Sequence, residues 1–228
     1  DVLGSRGLGD VYKRQGSKQG EFIADRNNIV RVWMDHGAWP YLTTSLYMQQ
    51  TGDIEFLNEE NTYFKDAQIG RGEHRDNLWS DGEGNMQLSE DDTPYRGTVL
   101  EHLLIQHLTS FYDVGEHNHI RLRGADWNDG LDMAEKRGES VAFTALYGGN
   151  LRDLAKDIMT LSKKTGKDTI SLAKEIEVLL NADKTVYDSI DEKHKVLNAY
   201  CNAVGHKVSG EKVSVDCTKP VSYTHLTL

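Results

Sequence analysis

The sequence has too little cysteine, too little basic charge and too short apolar runs for several large classes of protein. Its two cysteines, Cys201 and Cys217, cannot build a disulfide framework and do not have a metal-ligand spacing. No apolar run approaches the roughly 20 residues that a membrane span requires. The formal net charge of −10 argues against binding of nucleic acid, whose phosphates need a basic face. We therefore expect a protein of the reducing cytoplasm with no membrane and no nucleic-acid partner.

The common motifs of metal and nucleotide chemistry are also missing. No pair of histidines has the spacing of a zinc-binding helix, and the glycines near Gly70 and Gly82 do not form a phosphate-binding loop. His117-Asn118-His119 matches the letters of a nuclease motif, but three letters are not a signature. The sequence therefore predicts no metal site and no nucleotide site.

Both ends of the chain look foreign to the rest. Residues 5–15 read SRGLGDVYKRQ, and residues 221–228 read VSYTHLTL. Both resemble in-frame translations of a sequencing adapter, one from each strand, and such segments are set aside before fold reasoning. We expect residues 1–15 and 221–228 to be adapter-derived, and residues 16–220 to be a fragment of one larger domain.

The pattern that dominates residues 16–220 is the helical period of apolar side chains. It predicts helices over residues 38–51, 98–114, 140–165 and 169–180, a last helix that starts at Ser189, and one short strand within 208–215. Helices joined by loops of unequal length favour an all-α fold of stacked α-hairpins.

Two of these helices carry further local signals. Leu42, Leu46 and Tyr47 share one face of the first helix, which predicts that this face is buried. Thr98 and Glu101 have the spacing of a capping box, which gives Glu101 a role in helix capping.

The densest group of chemically active side chains lies in the loop segment RGADWNDGLD at residues 123–132. The face of Trp127 suits the apolar face of a sugar ring, and Asn and Asp side chains suit its hydroxyls. A carboxyl beside an aromatic wall can keep its proton at neutral pH, which a general acid requires. Composition alone favours a sugar site no more than an acidic turn with Trp127 in the core.

Three segments resemble glycoside hydrolase family 94, a family of inverting glycoside phosphorylases. GADWNDGLDMAEKRGESVAF at 124–143 resembles the catalytic loop and the following helix. MDHGAWPYLTTSLYMQQTGDIEFLNE at 34–59 resembles the D-D-H-L-W-L segment and its T-G-D turn, and YRGTVLEHLLIQHL at 95–108 resembles the T-x-x-E-H helix. Order and spacing agree across residues 31–166.

The resemblance implies a partial (α/α)6 barrel, with residues 16–220 as a fragment of its catalytic domain. It also implies inverting phosphorolysis of a β-linked gluco-disaccharide or oligosaccharide to an α-sugar 1-phosphate, with inorganic phosphate as co-substrate, no cofactor and a homodimer of the complete enzyme. The second Asp of D-W-N-D is the family's general acid. Asp129 takes this position, and the residues that would bind substrate are Trp127, Asp126, Asn128, Asp35 and His36.

This sequence departs from the family pattern in places. Met34 replaces the first Asp of D-D-H, and one residue more separates His36 from Trp39, which favours the branch of β-1,2-oligoglucan phosphorylases. The family's R-D-x-x-x-Q-D sugar-binding segment and its phosphate-binding His and Thr are not in this sequence. We therefore expect the chain to be inactive by itself.

Alternatives remain for single residues and for the whole chain. Asp35 fits a helix N-cap as well as a sugar subsite, and His102 fits a satisfied core histidine. An inverting hydrolase on the same fold would need a second carboxylate as its base. A non-catalytic carbohydrate-binding or scaffold protein would not need Asp129 at all.

Overall fold

The computed structural model describes residues 34–35, 37–65, 68–69, 74–123, 134 and 136–221. Of the residues expected to be adapter-derived, 1–15 and 222–228 lie outside this part, and Val221 lies inside it. The described α-helices are α1 (Trp39–Thr51), α2 (Val99–Tyr112), α3 (Val141–Thr165), α4 (Glu177–Leu180), α5 (Ile190–Ala203) and α6 (Thr218–Val221). Short 3-10 helices span Ile54–Asn58, Asp81–Glu83, Lys174–Ile176 and Lys184–Val186.

Three two-stranded antiparallel sheets accompany the helices in the described residues. The strands are β1 (Glu60–Thr62), β2 (Gln68–Ile69), β3 (His74–Arg75), β4 (Arg96–Thr98), β5 (Thr169–Ala173) and β6 (Lys212–Asp216). β1 pairs with β4, β2 with β3, and β5 with β6. Helical residues outnumber strand residues in the described part, which is compatible with the predicted all-α fold, and the (α/α)6 barrel stays a prediction.

Helix α2 lies at the centre of the main core. Ten of its fourteen residues are buried, and these include the polar residues Glu101, His107, Thr109 and Ser110, so neighbours enclose the helix on nearly all sides. The long helix α3 packs beside it through a stripe of apolar residues, Leu151, Leu154, Ile158 and Leu161. Both cysteines are buried as free thiols at the edge of this core.

The predicted starts of α2, α3 and α5 are confirmed, and each carries a side chain that caps it. Thr98 Oγ1 accepts a hydrogen bond from the Glu101 amide at 3.1 Å. At the start of α5, Ser189 Oγ accepts one from the Glu192 amide at 3.3 Å. Each cap satisfies one of the amides that a helix leaves unpaired in its first turn.

The prediction of a helix over residues 169–180 is wrong. The chain forms β5 at Thr169–Ala173, then a 3-10 turn, and only Glu177–Leu180 is α-helical. The reason is a partner about forty residues further on, since β5 pairs along its whole length with β6, from Thr169↔Asp216 to Ala173↔Lys212. Backbone pairing with β6 overrides the apolar spacing that suggested a helix.

The predicted buried face of the first helix is also wrong. In α1 the buried side chains are Tyr41 and Met48, whereas Leu46 is 58% exposed and Tyr47 is 41% exposed. Tyr41 lies against the end of the main core and donates a hydrogen bond to Asp157 Oδ2 of α3 at 2.9 Å. Contact with α3 therefore fixes which side of α1 faces inward.

A buried carboxylate on α2 joins the surrounding segments. Glu101 is fully buried, and its carboxylate accepts hydrogen bonds from the Tyr63 hydroxyl at 2.6 Å, the Tyr95 hydroxyl at 3.1 Å and the Ala173 amide at 2.6 Å. Lys212 Nζ lies 3.2 Å from it. Glu101 is therefore not the capping-box partner that its spacing predicted, because its side chain turns into the core.

The backbone beside this carboxylate has room only for glycine. A Cβ atom on Gly97 would overlap the Glu101 carboxylate and would lie 2.5 Å from the Tyr63 hydroxyl. Burial, together with the nearby Glu101 charge, holds the pKa of Tyr63 well above its usual value. The phenol therefore keeps its proton and remains a donor to Glu101.

Replacing Glu101 with Ala should lower the free energy of unfolding by about 3–5 kcal/mol, the usual cost of removing one partner from a buried ionic network. The change leaves a buried phenol and a buried backbone amide without their acceptor. The midpoint of urea unfolding measures this loss. The control is Lys174→Ala, which breaks the exposed Lys174–Glu211 pair and should change the midpoint little. Similar midpoints for the two variants would contradict the central role of Glu101.

Candidate functional site

Most of the predicted site residues lie outside the described part of the chain. These are Asp126, Trp127, Asn128, Asp129 and His36. Asp35 is described, and so are the segments on both sides of the GADWNDG motif. The structure therefore shows what holds the chain at Arg123, directly before the motif, and at residues 136–140, after it.

Three short backbone segments lie side by side where the motif leaves and rejoins the described chain. We call residues 113–115, 119–123 and 138–140 the neck. Its backbone hydrogen bonds run from Arg121 N to Asp113 O (2.9 Å), Gly115 N to His119 O (2.9 Å), Leu122 N to Gly138 O (2.8 Å) and Ser140 N to Ile120 O (2.9 Å). The chain leaves the neck at Arg123 and returns to it at Gly138, so both ends of the intervening segment are held at one place.

An ion pair between two segments of the neck lies directly before the motif. Arg123 Nε donates to Asp113 Oδ2 at 2.9 Å, and its Nη2 donates to Asp113 Oδ1 at 2.7 Å. The Asp113 side chain is 1% exposed and that of Arg123 is 14% exposed. Two parallel charged hydrogen bonds in a buried setting fix both the distance and the plane of the guanidinium.

A second carboxylate braces the neck from the other side. Glu139 accepts hydrogen bonds from the His117 amide at 2.9 Å, from the His119 amide at 3.1 Å and from His117 Nδ1 at 2.7 Å. Burial alone would raise the pKa of Glu139, but these hydrogen bonds outweigh it and hold that pKa below the usual 4.5. The His117-Asn118-His119 segment therefore forms a turn that is held by hydrogen bonds to Glu139.

The described residues of the MDHGAW segment before α1, namely Met34, Asp35, Gly37 and Ala38, lie in a turn, which we call the MDHGAW turn. The Asp35 carbonyl accepts hydrogen bonds from the amides of Ala38 and Trp39, and Asp35 Oδ2 accepts one from Trp39 Nε1 at 2.8 Å. The N-cap of α1 is Ala38, with no side-chain cap. The reading of Asp35 as a helix cap is therefore wrong, and its carboxylate orients the indole of Trp39 instead.

A small apolar cluster joins this turn to the neck. It consists of five buried side chains from the turn, the neck and α3: Met34, Ala38, Ile120, Leu122 and Tyr147. The Tyr147 hydroxyl donates to the Met34 carbonyl at 2.6 Å. Two of the three segments that resemble family motifs thus meet at one cluster: the first supplies Met34 and Ala38, and Ala134 and Phe143 of the second pack against it.

Gly37 fits this cluster because it has no side chain. A Cβ atom there would lie 2.6 Å from the Tyr147 hydroxyl oxygen and 3.3 Å from the ring. Gly37, one of the two residues between His36 and Trp39 where the family's D-D-H-L-W pattern has one, thus lies directly against Tyr147 of α3.

Two histidines on α2 are held neutral in the core. His107 Nδ1 lies 2.7 Å from the Leu103 carbonyl and therefore carries the ring proton, and burial lowers the pKa of His107 to about 4. His102 stacks on Tyr63 with ring centroids 3.7 Å apart, and burial, then the charge of Lys212, lowers its pKa to about 3. The Nε2 atoms of both rings are buried without a hydrogen-bond partner among the described residues, so His102 is a core histidine but not a fully satisfied one.

We also looked in the described part for metal-binding groups, membrane-spanning helices and cavities. It contains no group of three His, Cys, Asp or Glu side chains that could hold a metal ion. Among its helices, none combines the length and apolar character that crossing a membrane would need. A cavity of about 410 Å³ opens between the start of α2, the end of α3 and the β5–β6 sheet. No residue of the neck or of the MDHGAW turn lines it.

Comparison with known proteins gives one distant relationship. No family model matches the chain. The chain is 26% identical over 157 residues to solabiose phosphorylase from Paenibacillus borealis. The aligned part covers 67% of this chain and 17% of that protein, so the chain spans a small share of the relative's length. This similarity supports a distant relationship to glycoside phosphorylases.

The residues that hold the motif in place were not identified from the sequence. Arg123 stands beside the motif in the printed sequence, but its partner Asp113 is ten residues earlier and follows a helix. Glu139 belongs to the G-E-S signal after the motif, yet nothing in the letters indicates that it accepts from the backbone of residues 117 and 119. Periodicity does not report such contacts, because they join loops.

Gly37→Ala should destabilise the chain by about 1–3 kcal/mol, the typical cost of forcing atoms into a packed site. Tyr147→Phe removes the hydroxyl that the new methyl group would meet, at the cost of its hydrogen bond to Met34. The double variant should therefore lose less stability than the two single losses added together. Urea unfolding of the four proteins measures this coupling, and strictly additive losses would contradict the close contact.

Glu139→Gln should destabilise the chain at pH 7, and the difference from the parent should shrink as the pH falls below 4.5. The pKa of Glu139 is lower in the folded than in the unfolded state, so its stabilising effect is complete above the unfolded value and is lost as the folded carboxylate takes up a proton. Urea unfolding at pH 7 and in the acid range measures it. Glu211→Gln, in the exposed Lys174–Glu211 pair, is the control and should show little difference at either pH. A Glu139→Gln effect of equal size at both pH values would contradict the assignment.

Proposed function

We propose that this chain is part of the catalytic domain of an inverting glycoside phosphorylase of the family 94 type, with an (α/α)6 barrel fold. The observation that carries the proposal is the similarity to solabiose phosphorylase over 157 residues. The anchored GADWNDG segment adds support, because a catalytic loop needs fixed ends to place its carboxyl group reproducibly.

The proposed general acid is Asp129. It protonates the glycosidic oxygen while inorganic phosphate attacks the anomeric carbon from the opposite face of the ring. The glycosidic bond breaks, the acceptor sugar leaves with the proton, and the product is an α-sugar 1-phosphate. A hydrolase would need a second carboxylate to activate water. Phosphate is already an anionic nucleophile, so one carboxylic acid is sufficient.

The proposed substrate is a β-linked gluco-disaccharide or oligosaccharide. Trp127 would stack on the sugar at the cleavage point, and Asp126 and Asn128 would bind hydroxyls or hold the loop. Asp35 and His36 would line the same subsite. In support of this, the turn that carries Asp35 and the neck from which the motif departs share the Tyr147 cluster. A cytoplasmic location and a homodimer of the complete enzyme belong to the same proposal.

Asp129→Asn in the complete enzyme should reduce phosphorolysis of the natural disaccharide by about 10²–10⁴-fold, the usual contribution of a general acid. The amide keeps the size and hydrogen bonding of the carboxyl group but cannot deliver a proton. A β-glycosyl fluoride needs little protonation of its leaving group, so the variant should lose much less rate on that substrate. The rates of sugar 1-phosphate formation from both substrates measure the difference.

Asp126→Asn is the matched control for this experiment. If Asp126 only holds the loop, its variant should lose rate on both substrates alike. Asp126→Asn could instead lose much more rate on the natural disaccharide than on the fluoride, with no such difference in Asp129→Asn. The general acid would then be Asp126 and not Asp129. Release of free sugar with no dependence on phosphate would favour the hydrolase, and full activity of Asp129→Asn would favour a protein in which this segment is not catalytic.

A further inference from the structure

Arg123 adopts a backbone conformation that is costly for its residue type. Its φ angle is 51°, in the left-handed region, where the described non-glycine residues are Asp92, Asn118 and Arg123. Asp and Asn enter this region most readily because their short side chains bond locally, whereas a long side chain gains no such help. A glycine would adopt the same angle without strain. Strain of this kind persists where surrounding contacts impose it, and it clusters at functional sites.

The contacts described for Arg123 come from the end of α2. Asp113 is the C-cap residue of that helix, and its amide donates to the carbonyls of Thr109 and Ser110. Its carbonyl accepts from the Arg121 amide at 2.9 Å, and its carboxylate holds the fork of Arg123 at 2.7 and 2.9 Å. A second guanidinium, that of Arg121, lies 4.0 Å away. The buried carboxylate therefore connects a rigid core helix to the last residue before the motif.

We propose that the Asp113–Arg123 pair is a positioning device, which fixes the direction in which the chain leaves the neck and thereby the place of the acid on the GADWNDG segment. The pair acts on the reaction through Asp129, so this proposal rests on the proposed function. Neither residue needs to touch the substrate. The planar fork of Arg holds an orientation through two bonds, which the single ammonium of Lys cannot do.

An ion pair next to the neck supplies the control. Arg137 binds Glu116 with the same two-point geometry, Nε to Oε1 at 2.9 Å and Nη2 to Oε2 at 2.6 Å. Both of these side chains are mostly exposed, at 79% and 56%. Arg137→Lys therefore makes the same chemical change at a nearby ion pair that is exposed to solvent.

The first arm of the test does not depend on activity. Hydrogen exchange of peptides that cover residues 124–133 is compared between Arg123→Lys and Arg137→Lys in the 228-residue chain. Exchange in these peptides should be faster by about fivefold or more in Arg123→Lys, because weaker charged hydrogen bonds increase local opening, and it should be unchanged in Arg137→Lys. Asp113→Asn removes the charge from the other side and should reproduce the effect. Equal exchange in all variants overturns the proposal.

The second arm uses the complete enzyme. Arg123→Lys should lower kcat for the natural disaccharide by up to about 100-fold, the cost of a small misplacement of a reacting group. The loss on a β-glycosyl fluoride should be smaller, and KM should change little. Equal losses on both substrates would overturn the link to the acid, since a merely structural role lowers both rates alike. The complete enzyme could lack phosphorolysis while Arg123→Lys still speeds hydrogen exchange in residues 124–133. That result would contradict the proposed function, but it would support the role of the pair in fixing the segment.

Discussion

The architecture depends most on one buried carboxylate. Glu101 lies on the central helix and accepts from a residue beside β1, a residue beside β4 and the last residue of β5, so three separate stretches of chain converge on it. A charged group without solvent is costly unless hydrogen bonds surround it. The same requirement explains the glycine at position 97 and the protonated phenol of Tyr63. Apolar residues could also pack around α2, but apolar contacts have no direction. They would not determine the positions of the three chain segments that bind Glu101.

The neck shows the same principle at a second place. Asp113 and Glu139 are the carboxylates there, and each receives several hydrogen bonds from loop segments that have no regular secondary structure of their own. The apolar cluster around Tyr147 adds the MDHGAW turn to this group. Segments that are distant in sequence therefore meet beside the motif through a combination of charged anchors and one tyrosine, while the helices supply the frame.

The sequence predicted what local chemistry decides. Thr98 and Ser189 indicated helix starts because a hydroxyl three residues before an amide caps it wherever the chain lies. The helix predicted over residues 169–180 is wrong because β6 pairs with β5. The burial predicted for Leu46 and Tyr47 is wrong because contact with α3 decides which side of α1 faces inward. At the site, the resemblance predicted Asp35 as a substrate-binding residue. It predicted neither the hydrogen bond of Asp35 with Trp39 nor the ion pair between Asp113 and Arg123. These contacts depend on where loops cross, and single-sequence periodicity does not contain that information.

The closed neck has a consequence for how such a protein can diversify. Backbone hydrogen bonds between residues 120–122 and 138–140 close the segment between them. The entropy of closing a loop grows only with the logarithm of its length, about 0.6 kcal/mol for a doubling. Insertions and exchanges between Arg123 and Gly138 are thus cheap for the fold. New substrate preferences can evolve there by changes of length as well as of side chain, while the helices beneath keep their sequence.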